Sequence, residues 1–145
     1  MEALLISACL SGFECKYCGG SNVLDEALLA ALRERYRLIP VCPESAGGLP
    51  TPRDPSERLG DRVVSSKGAD VTAQYKKGAD TALFLAEKYG CEKALLKAHS
   101  PSCGNDGIYD GTFTGVTVPG MGVAAEALTS RGITVYSEKE LEKLL

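Results

Sequence analysis

The chain has 145 residues, the length of one ordinary domain with room for a proper hydrophobic core. Hydrophobic residues make up 44% and charged residues 24%, the balance of a soluble globular protein, and no apolar run is long enough to span a bilayer. A net charge of −3 and a pI near 5.2 supply no long-range attraction to nucleic acid, so a polyanion is not an expected partner of this domain alone.

In chain order, "ALLISACL" is a short apolar run ending at Ser11-Gly12, a buried strand and its exit turn. It lacks the basic leader of a secretory signal, so a cytoplasmic protein with reduced cysteines is expected. "SNVLDEALLAALRERY" has helical spacing, with Ser21 or Asn22 as N-cap, and "RLIPVC" is a second strand closed by Pro43. From Pro43 to about Ser66 the glycines and prolines predict an irregular excursion, with a small hairpin around "DRVVSSKGADVT". "AQYKKGADTALFLAEKYG" is the clearest helix, stopped at Gly90; "KALLKA" is a third strand. "IYDGTFTGVTV" reads as a hairpin turning at Asp110-Gly111, "GMGVAAEALTSRG" as a glycine-opened helix, "ITVYS" as a fourth strand and "EKELEKLL" as a terminal helix. The alternation predicts one α/β unit over 1–145: a small doubly wound, Rossmann-like parallel sheet of about four strands with helices on both faces.

In such sheets ligands sit beyond the carboxyl ends of the strands. Cys9 ends the first strand, Cys42 the second, and Cys103 follows the third in a Ser/Pro/Gly loop, away from the apolar company of a structural cysteine. Cys91 precedes the third strand and belongs to the opposite edge, as an ordinary small hydrophobe or half-exposed thiol. Three thiols converging from separate strand ends point to a metal or cluster site, or to a cysteine nucleophile. Cys15 and Cys18 form "CKYC" near the same edge, which reads as half a zinc site, a redox pair or a chance spacing. With one histidine, His99, and no second C-x-x-C, three spaced thiolates suit an iron–sulfur cluster better than tetrahedral zinc.

Glu44, two residues past Cys42, is a candidate general acid or base, against the plainer reading of a solvated loop carboxylate. Ser100 and Ser102 are candidate hydrogen-bond donors to sulfur or substrate, or simply turn formers. Gly47, Gly48 and Gly104 would admit close backbone approach to a ligand or serve their turns. Arg53 and Asp110 are weaker candidates that surface pairing would also explain.

"SACLSGFECKYCGGS", "PVCPESAGGLPTPR", "GADVTAQYKKGA" and "SPSCGNDGIYDGTFTG", in that order between Ile6 and about Ser137, resemble the thiouracil desulfidase family. The resemblance implies a 4Fe-4S cluster held by Cys9, Cys42 and Cys103, leaving one iron without a protein ligand. It implies non-redox removal of the thiocarbonyl sulfur from a small thiolated pyrimidine such as 2-thiouracil, with Glu44 and Ser100 as catalytic groups. Ser102, Gly104, Cys15 and Cys18 would stand around the substrate. Cys18 departs from the family, which usually has Asp or Asn there, and could add a thiol to the cluster's surroundings. The contrasting reading is a non-catalytic iron–sulfur or zinc-binding module, in which Cys15 or Cys18 would complete the coordination.

Overall fold

In a computed structural model describing residues 1–145, the first apolar run forms an inner strand buried on both faces. In chain order the elements are β1 (Glu2–Ser7), α1 (Glu26–Arg35), β2 (Tyr36–Val41), α2 (Pro43–Ala46), β3 (Ser56–Leu59), β4 (Arg62–Ser65), α3 (Thr72–Lys88), β5 (Lys93–Leu96), β6 (Ile108–Tyr109), β7 (Thr117–Val118), α4 (Val123–Ser130) and β8 (Thr134–Ser137). Two 3₁₀ segments, Ala8–Ser11 and Glu138–Lys143, complete it.

The four long-range strands form the expected parallel sheet in the order β2-β1-β5-β8. Alternation along β1 explains its continuous apolar run: Ala3 and Leu5 enter one core, Leu4 and Ile6 the other. The first core is closed by Ala79, Ala82 and Ala86 of α3 and Ala124, Ala125 and Leu128 of α4. The second is closed by Leu32 of α1 and by Leu141 and Leu144 at the chain's end. Fully burying a leucine contributes about 1.5–3 kcal/mol, so a charge at Leu5 would break the sheet from the inside.

From β1 the chain runs outward to β2, then returns to the other side of β1 to enter β5. The crossovers diverge between β1 and β5, which opens a crevice beyond their carboxyl ends. Register sharpens this: Ser7 pairs with Val41, so the exits toward Cys9 and Cys42 lie side by side.

Local details differ from the sequence reading. Helix α1 starts at Glu26, capped by Asp25, whose Oδ1 accepts the Ala27 N–H at 2.9 Å; Ser21 and Asn22 lie upstream of it. The hairpin sought around 61–72 is shifted, with its paired strands β3 and β4 turning at Gly60-Asp61 and only a bridge between Val64 and Asp70 beyond. β6 and β7 do pair, but across a loop of residues 110–116 rather than a two-residue turn at Asp110-Gly111. The terminal helix is 3₁₀, started by a capping box in which Glu140 accepts the Ser137 N–H. Gly90, at φ +67°, stops α3 as expected.

Candidate active site

Beyond the carboxyl edge lies a cavity of about 490 Å³, its wall including Cys9, Cys15, Cys42, Cys103, Glu44, Arg53, Ser100 and Ser102. Each cysteine arrives by a different local device. Cys9 leaves β1 in the 3₁₀ turn, and the Asn22 side chain donates to its sulfur at 3.5 Å. Cys42 is the N-cap residue of α2, with Pro43 at the first helical position. Cys103 sits in a turn that Ser100 organises, its Oγ accepting the N–H groups of Ser102 (3.1 Å) and Cys103 (2.7 Å). Carbonyls of Pro101 and Ser102 accept the first free N–H groups of α4, at 2.8 to 3.0 Å, and lock that turn to the helix.

Contrary to its polar sequence context, Cys103 is 4% exposed and joins the apolar core beneath the sheet edge. Burial pushes its thiol up to about 12, against hydrogen bonds from Ser7 and Ser102 that favour the thiolate. Burial also raises Cys9, opposed by Asn22. It lifts Cys15 to about 12, with the neighbouring Cys42 adding to the rise. Cys91 is buried at the start of β5, at the far edge, not half-exposed. Cys18 is exposed and outside the cavity wall, whereas Cys15 lies within it.

Glu44 is no free loop carboxylate. It lies in the first turn of α2, where Oε1 accepts from the Tyr75 hydroxyl (2.5 Å) and Arg53 Nε (3.4 Å), and Oε2 from Ser102 Oγ (3.3 Å). Tyr75 is fully buried, and burial together with the Glu44 charge raises its phenol far above the usual range, so its proton stays and is donated. The Arg53 side chain is only 5% exposed and also donates to the Cys15 and Pro50 carbonyls, at 2.8 and 3.2 Å. It is therefore not a surface ion pair but a hub that joins the Cys15 loop to Glu44.

The serines form a chain. Ser100 Oγ already accepts two N–H groups, so its own proton goes to Ser102 Oγ at 2.9 Å. The Ser102 proton is then shared between Glu44 Oε2 and the Cys103 sulfur, 3.6 Å away. Ser102, completely buried, thus touches both acid and thiol, while Ser100 mainly shapes the turn.

Gly47 and Gly104 serve packing rather than a ligand, and Gly48, at φ +98° with open space around it, serves its turn. A Cβ on Gly47 would fall 1.9 Å from the Gln74 carbonyl oxygen, and one on Gly104 would press Ser100 and Ile108. Asp110, half-buried, holds Thr112 and lies outside the wall. Sequence reasoning missed Asn22, Tyr75, Glu57, Lys97 and Phe113. Tyr75 lay in a quoted motif and in the clearest helix, but nothing in that stretch pointed to what its hydroxyl meets.

A family model described as 2-thiouracil desulfurase matches residues 4–140. The chain belongs to the 2-thiouracil desulfurase family. Membership makes it an enzyme that cleaves a C–S bond. The chain is 38% identical to the uncharacterized protein YbbK of Bacillus subtilis (strain 168), over 98% of this chain and 99% of that one. A solved structure described as a 4Fe-4S-dependent thiouracil desulfidase, TudS, is 46% identical, with a TM-score of 0.95 over 99% of this chain and 95% of that one.

The desulfurase cavity can be tested for such a cluster on its own donors. No three His, Cys, Asp or Glu side chains converge tightly enough to hold a single metal ion. Cys9, Cys42 and Cys103 instead surround a wider space, and Asn22, Ser7 and Ser102 aim hydrogen-bond donors at two of the sulfurs. Soft sulfur donors, assisted by hydrogen bonds around a roomy cavity, fit an iron–sulfur cluster.

Proposed function

We propose that residues 1–145 act as one cytoplasmic desulfidase unit that holds a 4Fe-4S cluster through Cys9, Cys42 and Cys103 and converts a small thiolated pyrimidine to its oxygenated form plus hydrosulfide. The observation that carries this reading is the convergence of those three thiols and Glu44 on one cavity, in a chain of this family. When bound, the cluster supplies an iron without a protein ligand, a Lewis acid for the thiocarbonyl sulfur.

The chain's own residues handle water and protons. Glu44 Oε1 is occupied by Tyr75 and Arg53, which orient the carboxylate; Oε2 has only the longer Ser102 contact. Oε2 is thus the oxygen free to take a proton from water as its oxygen attacks the thiocarbonyl carbon. The C–O bond forms, the C–S bond breaks, and sulfur leaves as hydrosulfide; no electrons are gained or lost. The proton that Glu44 takes from water passes back through Ser102, whose hydroxyl lies on Oε2, to the departing sulfur, so both side chains end the cycle as they began, and Ser100 holds Ser102 in place. No helix is long and apolar enough to cross a membrane, which accords with a small-molecule substrate met in solution.

The test is anaerobic iron–sulfur reconstitution, followed by 2-thiouracil with thiocarbonyl absorbance and sulfide both recorded. Turnover is expected in the parent and in Cys91→Ala, and not in Cys9→Ala, Cys42→Ala or Cys103→Ala. Stoichiometric zinc with no cluster and no turnover would overturn the reading.

A further inference from the structure

The cavity wall also carries a residue whose backbone is held in an unfavourable conformation. Phe113, in the loop 110–116, has φ +60°, a region where a side chain crowds its own carbonyl and where a bulky residue is an outlier. Nothing in the loop itself demands phenylalanine there, since glycine would adopt this φ freely. Two anchors impose the conformation. The Glu57 carboxylate, 9% exposed and on β3, accepts the N–H groups of Gly111 (3.0 Å) and Phe113 (3.1 Å) with Oε1. Asp110 accepts the N–H and the hydroxyl of Thr112, at 2.9 and 2.5 Å.

Glu57 forms no ion pair, so those backbone N–H groups are the partners of its buried carboxyl group. A buried carboxylate and a strained backbone together keep a 37%-exposed phenylalanine on the rim of the cavity. Strain retained beside a reaction site calls for a use of the side chain it presents. A thiolated pyrimidine is a flat, polarisable ring with its reactive sulfur at one edge. An aromatic face on the rim would hold such a ring while its edge points inward to the thiols.

We infer that Phe113 is the ring-recognition residue for the pyrimidine and that Glu57 is its positioning residue, an inference that rests on the desulfidase reading above. The experiment uses reconstituted enzyme with 2-thiouracil as substrate and uracil as competing product. Phe113→Gly is expected to raise KM about tenfold or more, with the uracil inhibition constant rising in parallel and kcat changing much less. Its Tm stays at or above the parent's, because glycine relieves the left-handed φ; a merely structural phenylalanine would lower Tm instead. Phe113→Tyr retains the parent KM. Glu57→Gln raises KM in the parent background but adds little when combined with Phe113→Gly, the signature of action through Phe113. A parent KM in Phe113→Gly, with the parent turning over, overturns the inference and leaves the desulfidase reading standing. Absence of turnover in the reconstituted parent overturns both.

Discussion

Gly78 lies outside the cavity wall, yet Gly78→Ala should disable the site. The glycine lies inside α3, where alanine would be favoured by about 1 kcal/mol on helix propensity. Its place is set by α2, whose backbone packs directly on α3. A Cβ at 78 would lie 1.8 Å from the Pro43 carbonyl oxygen and 2.6 Å from its carbon. Both atoms are backbone and cannot swing aside, so Pro43 must retreat by about 1.2 Å to reach even the 3.0 Å limit of real contacts. Pro43 is flanked by Cys42 and Glu44, so the same shift moves a sulfur and the base together. Overpacking costs on the order of 1–3 kcal/mol, partly offset by propensity, so the protein should fold with a modestly lower Tm. Misplacement of about 1 Å in reacting groups lowers the rate roughly a hundredfold. Iron content, sulfide-release kcat and Tm should be measured for Gly78→Ala beside Asp80→Ala, on the exposed face of the same helix. A kcat for Gly78→Ala within threefold of the parent at equal iron content would refute the reasoning.

Glu44→Gln should lower kcat by roughly a hundredfold or more while leaving iron content unchanged, since in the proposed mechanism the carboxylate takes a proton but holds no metal. Tyr75→Phe, which deletes the 2.5 Å bond to Glu44, should cost about tenfold in kcat and about 1–2 kcal/mol in urea unfolding. Glu140 is held below the usual carboxylate range, chiefly by Lys143 and then by Asn105 and the Ser137 N–H. A depressed folded pKa gives stability that is present above pH 4.5 and lost as pH falls through the folded value. The Tm advantage of the parent over Glu140→Gln should therefore be present at pH 7 and vanish in acid; a pH-independent difference would contradict it. Among the cavity's cations Arg53 pairs with Glu44 and Lys97 with Glu138, which leaves Lys16 alone without a carboxylate. The 5′-phosphate of 2-thiouridine monophosphate should therefore give a KM no higher than that of 2-thiouridine at low ionic strength, in a direct competition for sulfide release, and a roughly tenfold higher one would contradict it.

The edge at which the cavity opens was legible because strand ends can be read from the order of apolar runs, and in a parallel sheet all carboxyl ends share one edge. Cys9, Cys42 and Cys103 were assigned to it on that ground, and Cys91 to the other. The surroundings of each group were not legible. Cys103 sits in a polar stretch but is buried, because α4 and the sheet close over it from distant positions. Glu44 and Arg53 resembled surface charges until Tyr75, 31 residues beyond Glu44, was found beneath them. Helix spacing placed Tyr75 in a helix without revealing what its hydroxyl meets.

Composition, periodicity and turn residues by themselves determined the α/β class, the order of its elements and the edge at which the thiols gather, because these depend on neighbours along the chain. Only the tertiary structure decided the partners: which oxygen of Glu44 remains free, which serine reaches a sulfur, and why Gly78 and Phe113 stand where local preference opposes them. Those choices arise from contacts between segments far apart in sequence. Each is set by the requirement that buried polar groups find partners and that packed backbones not overlap.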